Sequence, residues 1–372
     1  MIIQIITFLF ILSVLVLVHE LGHFIVARRM GVWVEEFGFG LPPRVIGKKI
    51  GETIFSLNLF PFGGFVKLHG ENTEDSITNP KKAFLTRNPS VKALIVIAGV
   101  VMNFVLAVTA FAIVYSINGV PRNTNQVKVI ETREDSPAAL SGIKANDIVE
   151  KVDGRTITKN IEFIQYVDER RGQEVKVEVK REGESKPLTL MMTPRESPPE
   201  GEGALGVVIV DSEIYYPPWW KRPFFGMYYG FKEAIFWGGA VVMGFISIIT
   251  KLFSGIFPKD VAGPAGLFVI TSEVAKTGIL PLLNWLGIIS VNLAVLNIFP
   301  IPALDGGRLL FIGIEKLFGR RVLPKVESWL HLAGLGILVL FLLSVTFREV
   351  ILIKDLGFQG YLDFLTQSSA PQ

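Results

Sequence analysis

"VLVLVHELGHFIVARRM" (Val14–Met30) puts His19, Glu20 and His23 inside an apolar run that extends from Ile2 to Ala27. As a helix rising ~1.5 Å per residue, the run is about 39 Å long, enough to cross the ~30 Å hydrocarbon core of a bilayer. Ionisable groups at that depth are costly, so three of them within five residues mark a functional site rather than a packing accident. A cleaved signal peptide is the competing reading. Against it, no Lys or Arg precedes the run, no small-residue cleavage site closes it, and the ionisable cluster lies within it.

The rest of the 372 residues agrees with a membrane setting. Half of them are hydrophobic and only 19% are charged, and the mean hydropathy is +0.46. This describes an integral membrane protein with a modest water-soluble part. The absence of cysteine excludes disulfides, thiolate metal ligands and a cysteine nucleophile. A net charge of +3, without Lys/Arg runs interleaved with aromatics, argues against nucleic acid as a partner.

Three further spans are predicted: 91–117, about 280–299 and about 329–347, making a polytopic α-helical protein with about four transmembrane helices. The loop 31–90 and its flanks are rich in Arg and Lys (Arg28, Arg29, Arg44, Lys48, Lys49, Lys67 among them), whereas nothing basic precedes Ile2. The positive-inside rule then puts the N-terminus outside and this loop in the cytoplasm. The segment 224–257 is apolar enough to be a fifth span, but a crossing there would reverse the third span. It is therefore read as one or two helices in the outer interface or packed on the bundle, anchored by Trp219, Trp220, Tyr228 and Tyr229.

His19, Glu20 and His23 form H-E-x-x-H. Residues four apart share a helix face, so both imidazoles can reach one ion and the glutamate can reach a water beside it. Zinc suits such a set when three protein ligands leave a fourth position open. The other two histidines, His69 and His331, read as solvated or interfacial. A better third ligand is Asp305 in "NIFPIPALDGGRL" (Asn297–Leu309), a lone carboxylate at the end of an apolar span, though a turn or helix-cap role is the plain alternative. Pro300 and Pro302 cannot continue a helical ladder, so the span should unwind just before it.

"HELGHF" (His19–Phe24), "PFGGFVKL" (Pro61–Leu68) and "NIFPIPALDGG" (Asn297–Gly307), in that order, resemble the site-2 protease family. Within it they look most like the RIP zinc metalloproteases of the regulator of sigma-E protease group. The resemblance implies that His19, His23 and Asp305 bind Zn2+ and that Glu20 activates the attacking water. It also implies that Asn292 and Asn297, beside Pro300 and Pro302, hold an extended substrate; interhelical packing is the other reading of Asn292. Residues 31–90, broken by Gly and Pro, read as short strands. The resemblance makes them a membrane-associated β-loop that presents an edge near Gly63, Gly64 and Phe65 to an unwound substrate. Implied substrates are single-pass membrane proteins, such as anti-sigma factors or remnant signal peptides, already cut by a site-1 protease. The implied location is the bacterial cytoplasmic (inner) membrane.

Residues 125–210 differ in composition and form an inserted soluble α+β domain, extracytoplasmic by the count of spans. "SPAALSGIKANDIVEKVDGRTI" (Ser136–Ile157) resembles a PDZ domain, with "KNIEFIQYVDERRG" (Lys159–Gly172) as its helix and "EVKVEVKREGESKPLTLMMTP" (Glu174–Pro194) as a terminal hairpin. "ALGV" (Ala204–Val207) is either a carboxylate-loop strand or another sheet strand. The domain's role is either capture of a new C-terminus or filtering by size. "KDVAGPAG" (Lys259–Gly266) is expected as a turn before the third span, and 348–372 as a C-terminal tail. Two other function classes compete. A non-catalytic PDZ-bearing scaffold with a structural metal would need no Glu20. A zinc transporter would spread its ionisable groups along a path instead of clustering them at one depth.

Overall fold

In a computed structural model the chain is described over residues 2–71, 77–199, 201–255, 262–319 and 324–368. It divides into two compact units, residues 1–117 with 223–372, and residues 118–222.

The first unit opens with α1 (Ile2–Arg29), a single helix with Arg28 and Arg29 in its last turn, where cations complement the helix dipole. β1 (Val34–Ile50) and β2 (Thr53–Leu68) follow, and the sequence signals for strands in 31–90 are met. Their register is folded back on itself. Phe37 pairs with both Val66 and Phe55, and Lys48 with Phe55, so the order across this small sheet is 64–68, 34–39, 53–57, 46–50. The 64–68 segment is an edge, paired on one side only among the described residues. α2 (Pro89–Asn118) returns along α1, and Ala27, Val32, Val34, Leu68, Ile95 and Val96 close a core at the junction of helices and sheet.

The second unit is an antiparallel sheet with two helices. Its elements are β3 (Val120–Thr132), α3 (Pro137–Ser141), β4 (Ile148–Val152), β5 (Arg155–Thr156), α4 (Asn160–Asp168), β6 (Val175–Lys180), β7 (Leu188–Met192) and β8 (Val207–Tyr215). The sheet order is β7-β6-β4-β3-β8, with β5 on β4. β3 and β6 bury alternate valines (Val127, Val129; Val175, Val177, Val179) in one core with Phe163 and Leu205, the period-2 pattern of half-buried strands. Ser136 caps α3 by accepting the Ala139 N–H at 3.1 Å. The expected helix and the β6–β7 hairpin are present, but the hairpin is not terminal. β8 adds to the opposite edge, and Val207 of "ALGV" is its first residue.

Back in the first unit, α5 (Arg222–Phe253) is one continuous helix, within the sequence expectation of one or two helices in the outer interface or packed on the bundle. It runs antiparallel to α2: Gly226 fits against Ala112 and Ser116, Gly230 against Val108 and Ala112. α6 (Pro264–Thr277), α7 (Ile279–Ile298), α8 (Asp305–Phe318) and α9 (Pro324–Ser368) complete the unit. Gly238 faces Val291 and Val295, and Phe245 stacks on Phe299 at 4.2 Å, so α5 and α7 run in the same direction, side by side. The parity constraint drawn from sequence therefore does not hold, because α5 and α7 share one direction. Among the described residues, five helices, α5 included, are long and apolar enough to cross a membrane by length and composition.

Of "KDVAGPAG", Lys259–Val261 lie outside the described residues, and Pro264 opens α6. Instead of a tail, 348–368 continues α9, broken at Gly357 (φ 71°). Glu349, 2% exposed, accepts the Gly263 N–H at 2.6 Å, the Ala265 N–H at 3.2 Å and the Tyr361 hydroxyl at 2.7 Å. It thereby satisfies donors at the start of α6 that the helix itself cannot.

Candidate metal centre

α7 ends at Ile298, and Phe299 is extended; Pro300 and Pro302 enforce the break. Ala303 then takes a left-handed φ of 77°, and Asp305 begins α8 without capping it. Its side chain turns instead toward α1. Asp305 Oδ2 lies 3.1 Å from His19 Nε2 and 3.3 Å from His23 Nε2, and the two Nε2 atoms are 3.2 Å apart. Four-coordinate zinc with bonds of about 2.0–2.1 Å has ligand atoms about 3.3 Å apart, so this triangle fits one face of such a shell and leaves the fourth corner open.

The hydrogen bonds behind the triangle agree. His23 Nδ1 is 2.8 Å from the Ile95 carbonyl, which can only accept, so the proton sits on Nδ1 and Nε2 keeps its lone pair. Asn103 lies 3.5 Å from His19 Nδ1, and its amide oxygen is otherwise buried without a partner. Turned so that this oxygen faces the ring, the amide accepts the Nδ1 proton and frees the second Nε2. Asp305 Oδ2 is buried without a hydrogen-bond donor. Three acceptor atoms converge here with no proton to share, which is the donor set a divalent cation requires.

Glu20 lines the same cavity of about 610 Å³ as His19, His23 and Asp305. The cavity is polar on one flank, where Lys92 pairs with Glu315 and Arg308 with Glu71. Burial opposes the charge on Arg308, but the Glu71 carboxylate outweighs it and raises the guanidinium pKa.

Residues 7–341 match peptidase family M50. The chain belongs to peptidase family M50. It is 26% identical to the zinc metalloprotease RasP of Oceanobacillus iheyensis, over 93% of this chain and 98% of the relative. A putative zinc metalloprotease of Clostridium perfringens is 32% identical over 91% and 96%, and the regulator of sigma-W protease RasP of Bacillus subtilis 26% identical over 93% and 98%. The PDZ domain of an SdrC-like protein from Listeria monocytogenes matches a quarter of the chain at 26% identity and a TM-score of 0.21. As an M50 peptidase, the protein is a multi-pass site-2 protease that uses zinc.

Of the other residues marked in this M50 sequence, Phe65 lines the cavity, whereas Gly63, Gly64, Asn292, Asn297, Pro300 and Pro302 do not. Gly64 nevertheless abuts α1: a Cβ there would sit 3.2 Å from Leu17 and 3.9 Å from Glu20 Cγ. The Asn292 amide oxygen is buried without a partner.

Two histidines depart from the sequence reading. His69, 1% exposed, is neither solvated nor interfacial; it bonds Glu35 at 2.7 Å and accepts the Asn79 N–H at 3.1 Å, pinning the end of β2. His331 lines the same cavity as Glu20 and Asp305. Sequence reasoning also passed over Gly99. A Cβ there would meet His23 Nε2 at 2.4 Å and His19 Cε1 at 2.7 Å, so its hydrogen is what lets α2 close on the histidine pair. The only signal was a small residue in a predicted span, which is common wherever membrane helices pack closely.

Proposed function

We propose that His19, His23 and Asp305 hold the zinc, that Glu20 is the general base, and that the bonds cut lie within the membrane segments of single-pass proteins. One observation carries the reading: three potential ligand atoms 3.1–3.3 Å apart sharing a cavity with a carboxylate. Zinc bound there supplies Lewis acidity to a scissile carbonyl and to water. Glu20, one residue beyond His19 on the same helix, takes a proton from the attacking water and returns it to the leaving amine. The His23–Ile95 and His19–Asn103 hydrogen bonds hold the rings and their tautomers through this exchange.

The substrate must be unwound first, because a helix keeps its peptide groups bonded to itself. The 64–68 edge, packed against α1 near Glu20, suits an added substrate strand, and Asn292 and Asn297 offer further polar groups along α7. The B. subtilis relative is a regulator of a sigma factor by name; by analogy, a membrane-anchored anti-sigma factor, shortened beforehand by another protease, is the proposed substrate. The 118–222 unit is proposed as an extracytoplasmic PDZ-like domain that screens substrates. With the N-terminus outside the cytoplasmic membrane, α1, α5 and α7 run inward and α2 and α9 outward. α5 then crosses, which its exposed Phe231, Ile235, Phe236 and Met243 favour over an interfacial position.

Glu20→Gln tests the base. The purified variant should keep a parental zinc content while cleavage of a labelled transmembrane peptide, read by mass spectrometry, falls by at least ~10²-fold. Parental cleavage by the variant, or cleavage by the parent in the presence of a zinc chelator, would refute the assignment.

A further inference from the structure

His331 plays no part in the mechanism above, yet it stands on α9 with its ring on the cavity that holds Glu20 and Asp305. Its Nδ1 accepts the Ala303 backbone N–H at 3.0 Å. An amide N–H can only donate, so Nδ1 must carry a lone pair and the ring proton must lie on Nε2. Nε2 is buried and has no hydrogen-bond partner among the described residues. Phe311 packs edge-on at 5.6 Å between ring centroids, and the ring is further confined where Gly334, one turn on, seats against Pro302. The result is a fixed N–H donor on a residue that lines the cavity, without an acceptor among the described residues.

Buried donors are normally paired, and an unpaired one is destabilising unless something else completes it. In a peptidase cavity the acceptor a substrate brings is a peptide carbonyl oxygen. A peptide laid against the 64–68 edge bonds that strand on one side only, and its outward carbonyls need donors from elsewhere. The geometry points to His331 as a substrate-binding residue that donates its Nε2 proton to a backbone carbonyl of the unwound substrate. This rests on the peptidase reading above. It adds a specificity consequence: the donor grips backbone, so it favours segments that unwind over particular side chains.

Two replacements separate this role from merely holding Ala303. His331→Asn keeps an acceptor near the Nδ1 position and loses the distal donor; His331→Gln keeps a donor near Nε2 and loses the proximal acceptor. Each is placed in the full chain on a Glu20→Gln background, so that binding is read without turnover. The probe is a fluorescein-labelled peptide carrying the transmembrane segment of a single-pass anti-sigma factor, followed by anisotropy, with zinc content measured alongside. His331→Asn is expected to weaken binding about tenfold at unchanged zinc content, and His331→Gln to stay within about threefold of its parent. With Glu20 restored, kcat/KM for the same peptide should follow the same order. Parental affinity in His331→Asn, equal losses in both variants, or loss of zinc in His331→Gln would each overturn the donor role. A Glu20-intact parent that fails to cut the peptide would instead count against the peptidase reading itself.

Discussion

The contact of α2 with the histidine pair turns on one hydrogen atom. Gly99 lets α2 approach the His19–His23 pair, and Gly22, whose own Cβ would meet the Ala98 carbonyl at 2.3 Å, does the same from α1. A methyl group at Gly99 would have to push the rings or the helix away, and a zinc site tolerates only about 0.5 Å of displacement. Gly99→Ala should therefore lose zinc and activity together. Gly239→Ala on α5, where nothing lies within 4 Å, should change neither. Zinc content of the two purified variants checks this, and a zinc-replete Gly99→Ala would contradict it. Glu20, His19 and His23 were legible in sequence because their spacing is local. Gly99, Asn103 and His331 were not, since each acts across a helix contact that only folding creates.

Among the elements, α5 is where sequence reasoning and structure part. Hydropathy alone could not tell a lipid-facing helix from one packed on the bundle. Strict alternation of direction between successive long helices would exclude a crossing there. The structure instead lays α5 parallel to α7, with Phe245 against Phe299. In the proposed topology, the end of α5 lies on the cytoplasmic side. The chain has no cysteine, so single replacements report cleanly. In intact spheroplasts, Ser254→Cys should resist a membrane-impermeant maleimide, while Asn125→Cys in the inserted unit should react. Labelling of both positions from outside would mean that α5 does not cross. The prolines of 300–302, by contrast, ended α7 where sequence said they would, because a missing N–H and a ring clash are local facts.

At the scale of the whole chain, two units obey different solvents. Residues 118–222 carry their own apolar core and should fold when expressed alone. Asp147, fully buried, accepts a bidentate bond from Arg181 at 2.7 Å and the Lys144 N–H at 2.9 Å. Burial alone would raise its pKa, but these donors outweigh it and hold the carboxyl below its ordinary value. A depressed folded pKa adds stability that is present above the unfolded value, about pH 4, and is lost as pH falls through the folded one. Asp147→Asn should cost roughly 3 kcal/mol near neutrality and flatten the fall in melting temperature below about pH 4, as circular dichroism would report. An unchanged melting curve would show the pair to be inert. The apolar helices α1, α2 and α7, the separate insert and the His19–Glu20–His23 cluster could be read from the sequence alone, because periodicity, hydropathy and i,i+4 spacing are properties of neighbouring residues. Folding in three dimensions was needed for the direction of α5 relative to α7, the meeting of Asp305 with the histidines across 282 to 286 positions of chain, and the buried, unpaired Nε2 of His331. Those depend on which helix faces touch, and no local pattern encodes that.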